Sequence, residues 1–149
     1  LNNIHGVKSD EFFKNNNVTF DVIFIDGLHH YDQVLEDLKN SLNSINKNGI
    51  ILIHDMIPLN KISQEIPRNK QKIWTGDVWK LSYNLMNSKN IEFIISNIDS
   101  GVGIIKPSDN FHLNIDFEIN NSKTYEDFKI LYNKLPIKSA KESLQFIDK

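Results

Sequence analysis

The sequence has no cysteine among its 149 residues, which excludes disulfide bonds and thiolate metal sites. It also has no apolar run near the roughly 20 residues that a membrane-spanning helix requires, and its first residues do not form a signal-peptide pattern. These absences predict a cytoplasmic protein without a membrane partner. Because the chain begins at Leu1, inside what reads as the end of a strand, we expect it to be part of a longer protein.

Glycine is also scarce. The six glycines form no GxGxxG, and Gly101 and Gly103 follow a turn instead of opening a helix. The sequence has no P-loop, no GxSxG and no zinc-ligand spacing. Nucleotide binding through a glycine-rich phosphate loop is therefore not indicated.

Charge of one sign does not predominate. The formal net charge is −2, with 17 basic and 19 acidic residues mixed along the chain, so the electrostatics do not favour a nucleic acid as partner. Hydrophobic residues make up 40% of the chain and charged residues 24%, as in ordinary globular domains. The length corresponds to one domain.

What the sequence does contain is a strand–helix–strand unit in its first third. The run Asp21–Ile25 is apolar and β-branched without alternation, which predicts a strand buried on both faces. From Tyr31 the period changes to that of an amphipathic helix, with Asn48-Gly49 as its left-handed stop and Ile50–Ile53 as the second strand. Such a unit forms a right-handed βαβ crossover in nearly all known cases.

Further elements are predicted on both sides of this unit, and the short join Asp99-Ser100-Gly101 makes the last pair of strands antiparallel. They are a helix begun by Ser9-Asp10-Glu11, a helix capped by Thr75 with Asp77 in its first turn, strands Ile91–Ile98 and Val102–Ile105, an edge strand His112–Ile119, and helices from Tyr125 to Lys134 and at the C-terminus. Together these elements predict an α/β fold.

Two acids end the two strands of the central unit. Asp26 follows the first strand and Asp55 the second, so parallel neighbouring strands would bring the two carboxylates together at the sheet edge where open α/β folds bind ligands. Adjacent carboxylates repel each other unless a cation lies between them, which makes the pair candidate ligands for Mg²⁺ or Ca²⁺. The alternative is that each acid caps the loop or helix that follows it.

Histidines lie near both acids. His29 follows the first strand and is a candidate general base, with His30 as its competitor, and one of the two is expected to face the site. His54 is a candidate third metal ligand or a partner of one, although strand alternation separates it from Asp55 unless the strand has already ended. The structural alternatives are exposed or capping loop histidines and a buried, hydrogen-bonded His54.

Two more segments are candidates for this site. Residues 59–72 form an irregular loop of mixed charge after the second acid, so they are either a flap over the site or a surface loop without a role. In the segment WTGDVWK that follows, Trp74 is positioned to contact a ligand, whereas Trp79 is expected in the core.

The motifs IFIDGLHHY, NGIILIHDMIP, WTGDVWK and DSGVGIIKP resemble the C-terminal half of class I S-adenosylmethionine-dependent methyltransferases, in particular a bacterial group associated with sugar and cell-surface glycan biosynthesis. The resemblance covers roughly residues 4–107. It implies a Rossmann-like α/β sheet, present here as its fourth to seventh strands with the last one antiparallel. Residues 1–107 would then be the C-terminal part of a methyltransferase domain, and residues 108–149 an extension that packs on the same domain.

The resemblance also implies a reaction. A methyl group would pass from S-adenosylmethionine to a hydroxyl of a sugar or another small molecule, with Mg²⁺ as a second cofactor. The implied roles are catalysis for His29 and Asp26, cofactor binding for Ser9, Asp10 and Asp26, and metal binding for Asp26, Asp55 and His54.

The sequence departs from this family in two respects. The first three strands, with the glycine loop for the cofactor, are not in this chain, and His54 stands where the family often has an acid or asparagine. Two other functions therefore stay open. One is a non-catalytic half-Rossmann module that pairs with another chain, for instance in a homo-oligomer, and the other is a metal-dependent enzyme of different chemistry.

Overall fold

The computed structural model describes residues 6–148, in which six α-helices flank one five-stranded sheet. The helices are α1 (Ser9–Asn15), α2 (Tyr31–Ser44), α3 (Leu81–Met86), α4 (Phe117–Asn121), α5 (Tyr125–Tyr132) and α6 (Ala140–Ile147), and the strands are β1 (Phe20–Ile25), β2 (Ile45–Ile53), β3 (Lys89–Ser96), β4 (Val102–His112) and β5 (Ile137–Lys138). Two short 3₁₀ helices span Ile62–Gln64 and Val78–Lys80. The strand end expected at Leu1 lies outside the described residues.

The sheet has the strand order β1-β2-β4-β3-β5. β1 and β2 are parallel and are connected through α2, whereas β4 is antiparallel to both of its neighbours, β2 and β3. This arrangement confirms the predicted Rossmann-like sheet with an antiparallel last strand. No helix in the described part of the chain combines the length and hydrophobicity needed to cross a bilayer.

The amphipathic pattern of α2 is confirmed. Its apolar residues are buried against the sheet, which places the crossover helix over the parallel pair of strands; they are Tyr31, Val34, Leu35, Leu38 and Leu42. In the sequence Ile45 continues the helical spacing of these apolar residues and is expected on the same face, but it is instead the first residue of β2.

The prediction that β1 is buried on both faces is wrong. Val22 and Phe24 are 55% and 56% exposed, whereas Ile25 is buried in the core. Successive side chains of a strand point to opposite faces, and only the face of Ile25 packs on the core cluster that includes α2. An apolar run indicates that both faces suit burial, but it does not say which element covers each of them.

The prediction that Asn48-Gly49 stops α2 is also wrong. Asn48 does have a left-handed φ of 65°, but it lies within β2, and α2 ends at Ser44. The strand begins early because Ile45 pairs with Phe20 of β1, and an irregularity in the register after that pair accommodates the bend at Asn48.

Two predicted elements further along differ from the structure. Thr75 caps no helix, because the 3₁₀ helix begins at Val78 and α3 only at Leu81; its buried hydroxyl donates a hydrogen bond to the carbonyl of Ser63 at 3.2 Å. The edge strand His112–Ile119 is not formed: β4 extends to its first residue, and α4 occupies its end. Phe117 stacks on Tyr31 at 5.5 Å between ring centroids, and this contact helps to hold α4 against α2.

The segment beyond residue 107 is continuous with the main sheet. β4 crosses that position, and β5 pairs with β3 through Ile95 and Ile137. The helices α4 and α5 contribute Phe117 and Phe128 to the shared core or its margin. The division at residue 107 remains a prediction about domain organisation.

Candidate functional site

The two acids meet because β1 and β2 end level with each other. Ile25 pairs with Ile53 at the ends of the strands, and the backbone N–H of His54 donates to the carbonyl of Ile25 at 3.0 Å. Since β2 ends before His54, strand alternation no longer separates the side chains of His54 and Asp55. Asp55 has a left-handed φ of 63°, so the chain turns sharply at this corner.

His29 lies between the two acids. Its Nδ1 atom is 3.0 Å from Oδ2 of Asp55, and its Nε2 atom is 3.5 Å from Oδ1 of Asp26. Each of these three residues offers one donor atom within 4.8 Å of the others, which is the spacing of a metal-ligand group. His30 has no such contact with the acids; it precedes α2 and meets the ring of Trp74 edge-on at 6.1 Å.

The hydrogen bonds of His29 indicate its tautomer. Nδ1 also lies 3.0 Å from the carbonyl oxygen of Trp74, and because a carbonyl only accepts, Nδ1 is the protonated nitrogen in this contact. In the neutral ring Nε2 then carries the lone pair, and it faces Asp26. A nitrogen in this state accepts a proton or binds a cation.

His54 also contacts both acids. Its Nδ1 atom is 3.4 Å from Oδ1 of Asp26 and 3.4 Å from Oδ2 of Asp55, while its Nε2 atom is 3.2 Å from Oδ2 of Asp99. Asp99 belongs to the turn between β3 and β4, so a third acid reaches the site from a different part of the chain. The sequence indicated only a tight turn at this position.

Asp55 is the buried member of the cluster, with 5% of its surface exposed. Burial raises the pKa of its carboxyl above the ordinary value, because removal from water disfavours the charged form. Electrostatic attraction to His54 and His29 lowers the pKa of Asp55, whereas repulsion by the nearby charge of Asp26 raises it further. An ionised Asp55 is therefore held in a poorly solvated position where a cation would stabilise it.

The segment Trp74–Lys80 holds the His29 loop in place. Gly76 has a φ of +56°, and a Cβ atom at this position would lie 1.7 Å from the carbonyl oxygen of His29. The N–H of Asp77 donates to that same carbonyl at 3.2 Å. The close approach of the two backbones requires glycine at position 76.

Asp77 has a role that its position in the sequence did not predict. Its Oδ1 atom accepts a hydrogen bond from the N–H of Tyr31 at 2.7 Å, so it satisfies a free donor at the start of α2, and its Oδ2 atom pairs with buried Lys80 at 2.8 Å. A carboxylate at this end of α2 also interacts favourably with the helix dipole. Asp77 therefore stabilises the helix that follows His29 instead of its own helix.

The loop of residues 58–73 is attached to the same segment. The indole N–H of Trp74 donates to the carbonyl of Glu65 at 2.8 Å, and the indole N–H of Trp79 donates to the side chain of Gln64 at 3.2 Å. The N–H of Thr75 donates to the carbonyl of buried Ser63 at 2.8 Å. Trp79 is fully buried, as predicted, and Trp74 is partly exposed and stacks on His29 with 5.1 Å between ring centroids.

The turn between β3 and β4 packs against the residues that directly follow Asp55. The N–H groups of Met56 and Ile57 donate to the carbonyls of Gly101 and Ser100 at 3.0 and 2.7 Å. Gly101 has a φ of +82°, and a Cβ atom there would lie 2.6 Å from the side chain of Ile57. Glycine at position 101 avoids this clash and lets the turn pack closely on Ile57. The same packing brings Asp99, two residues earlier, to His54.

A groove of about 620 Å³ lies between α1, β1 and α2. All three residues predicted to bind the cofactor line it, namely Ser9, Asp10 and Asp26. The Nε2 atom of Gln33 connects the two helices by donating to Oδ1 of Asp10 and to Oδ1 of Asp37, each at 3.1 Å. Asp37 is a buried acid that lines this groove, and its position on the helical face between apolar residues was the only signal in the sequence.

Comparisons with known proteins agree with this fold. A family model described as a methyltransferase domain matches residues 2–56, which include the ends of β1 and β2. Among solved structures, the crystal structure of SAH-bound Podospora anserina methyltransferase PaMTH1 is similar, with a TM-score of 0.54 and 23% sequence identity over 71% of this chain. The match spans 48% of that protein, so this chain corresponds to about half of it. A search of curated proteins found no match.

Proposed function

We propose that this protein is an S-adenosylmethionine-dependent methyltransferase that acts on a hydroxyl group of a small molecule, with a sugar as the acceptor. The observation that carries the proposal is the cluster of Asp26, His29 and Asp55 at the ends of two parallel strands, beside the groove lined by Ser9 and Asp10. The methyltransferase-domain match and the SAH-bound structural neighbour support the methyl-transfer part.

The donor set fits a divalent cation such as Mg²⁺. The two carboxylates and the imidazole converge, and none of the lysine or arginine side chains in the described residues forms an ion pair with Asp26 or Asp55. Asp26 and Asp55 would hold the cation, with His54 beside them. A bound cation would supply positive charge that lowers the pKa of an acceptor hydroxyl.

His29 is the proposed base. Its Nδ1–H is oriented by the carbonyl of Trp74, which leaves Nε2 to take the proton of the acceptor hydroxyl. The carboxylate of Asp55, 3.0 Å from Nδ1, stabilises the imidazolium that results. S-adenosylmethionine would supply the methyl group, whose bond to sulfur breaks with both electrons staying on sulfur as the acceptor oxygen attacks.

Ser9 and Asp10 are the proposed cofactor contacts on α1. Their side chains line the groove that opens next to Asp26, so one ligand can reach both α1 and the acidic corner. Asp10 presents a carboxylate that accepts hydrogen bonds from ligand hydroxyl or amino groups.

Calorimetric titration of the full natural protein with S-adenosylhomocysteine tests this function. We expect binding that weakens when Asp10 is replaced by asparagine, together with methyl transfer that requires a divalent cation. Absence of binding by the full protein would contradict the methyltransferase assignment and favour a metal-dependent enzyme of different chemistry.

A second candidate is a non-catalytic module that completes the sheet of another chain. The observation that favours it is the outer strand β1, whose side chains Val22 and Phe24 are exposed on the face away from the core. Sedimentation analysis separates the two functions. A stable homo-oligomer that binds no S-adenosylhomocysteine supports the module, whereas a protein that binds the ligand at any oligomeric state supports the enzyme.

A further inference from the structure

The loop of residues 58–73 carries an excess of positive charge next to the candidate site. It contains one acid, Glu65, and four basic residues, Lys61, Arg68, Lys70 and Lys72, within a chain whose net charge is −2. Arg68 is the only arginine in the whole sequence. All four basic side chains are exposed, so the charge is available to a ligand.

None of these four cations forms an ion pair within the described part of the chain. Lysines elsewhere do: Lys80 pairs with Asp77 at 2.8 Å, and Lys47 pairs with Asp109 at 3.1 Å. The positive charge of the loop is thus not neutralised by neighbouring acids. An uncompensated guanidinium is suited to bidentate contact with a carboxylate or phosphate, which a lysine ammonium does not match in geometry.

Aromatic contacts connect Arg68 to the proposed base. The guanidinium carbon of Arg68 lies 5.5 Å from the ring centroid of Trp74, within the range of a cation–π interaction. Trp74 in turn stacks on His29 with 5.1 Å between ring centroids and only 13° between ring planes. The loop therefore holds its single arginine two side-chain contacts away from His29, and the hydrogen bond from Trp74 to Glu65 fixes the connection.

We propose that Arg68 binds an anionic group of the acceptor, so that the substrate class is a hydroxy compound that carries a carboxylate or a phosphate. Arg68 is a specificity-determining residue in this assignment, and Trp74 is the aromatic surface that orients it. The assignment of the anion to the acceptor rests on the proposed function. The anion site itself depends only on Arg68 and Trp74.

NMR allows a direct test. Trp74 contacts Arg68, so its indole N–H signal reports on the loop, whereas the backbone N–H of Ile105, fully buried in the sheet, is the internal control. The probes are glucose 6-phosphate, glucuronate and neutral glucose, titrated at constant ionic strength. We expect the phosphate or the carboxylate sugar to shift the Trp74 signal at concentrations where glucose does not, with the Ile105 signal unchanged.

Variants identify the residue responsible. Arg68→Gln should weaken anion binding at least about tenfold, the loss expected when one charge-assisted hydrogen-bonding group is removed, and Arg68→Lys should restore it only in part. The matched control is Lys138→Gln in β5, an exposed lysine at the opposite edge of the sheet from β1, which should leave binding unchanged. The stronger response of phosphate or carboxylate identifies which anion the loop prefers.

Several results would overturn the proposal. They are equal responses to glucose and to both anions, no response of Trp74 to either anion, an unchanged affinity in Arg68→Gln, and an equal loss in Lys138→Gln. None of these measurements needs S-adenosylmethionine. If the anions do not bind but S-adenosylhomocysteine does, the methyltransferase function stands and the anion site is contradicted. If the anions bind but S-adenosylhomocysteine does not, the anion site stands and the proposed methyl transfer is contradicted.

Discussion

Nδ1 of His29 donates a hydrogen bond to the carbonyl oxygen of Trp74, a residue 45 positions later in the chain, and the two rings stack. This contact sets the tautomer in which Nε2 of His29 is the basic atom facing Asp26. The motifs IDGLHHY and WTGDVWK therefore form a single unit in space: the first contains the proposed base His29 and an acid, and the second holds the ring of His29 in place.

Replacement of His29 by glutamine distinguishes a base from a metal ligand. If His29 takes the acceptor proton, His29→Gln should lower kcat by about 100- to 10,000-fold, while calorimetry with Mn²⁺ detects little change in metal affinity. His30→Gln is the matched control, because His30 contacts Trp74 but neither acid, and it should retain most of the activity. Loss of metal binding as complete as that of an Asp26 variant would identify His29 as a ligand.

Asp26 tests the requirement for a cation. Asp26→Asn keeps the shape of the side chain but removes its charge, so we expect loss of metal binding and of metal-dependent turnover in the full natural protein. The control is Asp21→Asn, at the opposite end of β1, where exposed Asp21 accepts a hydrogen bond from Asn46 at 2.7 Å. Normal activity of Asp26→Ala in excess chelator would contradict metal assistance.

The meeting of the two acids could be predicted from the sequence because it depends on local signals. An apolar run that ends at an acid, a helical period and a second such run imply parallel strands whose ends coincide, and Ile25 and Ile53 do pair. The left-handed conformation of Asn48 was also predictable. Its location inside β2 was not, because the pairing of Ile45 with Phe20 decides where the strand begins.

Contacts between distant segments carry the rest of the site, and no local pattern specifies them. Thr75-Gly76-Asp77 has the composition of a helix cap, yet Asp77 satisfies the N–H of Tyr31 at the start of another helix. Asp99 reads as a turn residue, and only the packing of its turn against Ile57 brings it to His54. The exposure of Phe24 likewise depends on which elements cover the sheet, which periodicity does not encode.

The pKa of Asp55 predicts how stability depends on pH. In the unfolded chain this carboxyl titrates at its ordinary value of 3.8, whereas burial raises its pKa in the folded state. The folded state therefore binds the extra proton between these two pKa values, so the contribution of Asp55 to stability falls as pH rises through that window. Asp55→Asn removes this effect and should raise the melting temperature at neutral pH without metal, with the difference disappearing below about pH 3.8.

With a divalent cation at neutral pH, the parent protein should instead be more stable than Asp55→Asn. The parent protein gains about 2.7 kcal/mol at a cation concentration 100 times the dissociation constant, whereas Asp55→Asn should gain little. Calorimetric melting curves with and without Mg²⁺ measure both effects. A variant less stable than the parent in the absence of metal would show that the contacts of Asp55 with His29 and His54 outweigh the cost of burying its charge.

Gly76 tests whether the WTGDVWK segment positions His29. Gly76→Ala introduces a Cβ atom 1.7 Å from the carbonyl oxygen of His29 in a left-handed backbone, so either the segment or the His29 loop must move. The backbone strain alone costs about 1–3 kcal/mol, and a melting temperature lower by several degrees is expected.

The control is Gly6→Ala, where an added Cβ meets no atom within 4 Å. A positioning role predicts a loss of kcat and a displaced pH–rate profile at temperatures where Gly76→Ala is fully folded. A loss of stability with an unchanged profile would mean that the segment supports the fold but does not orient the base.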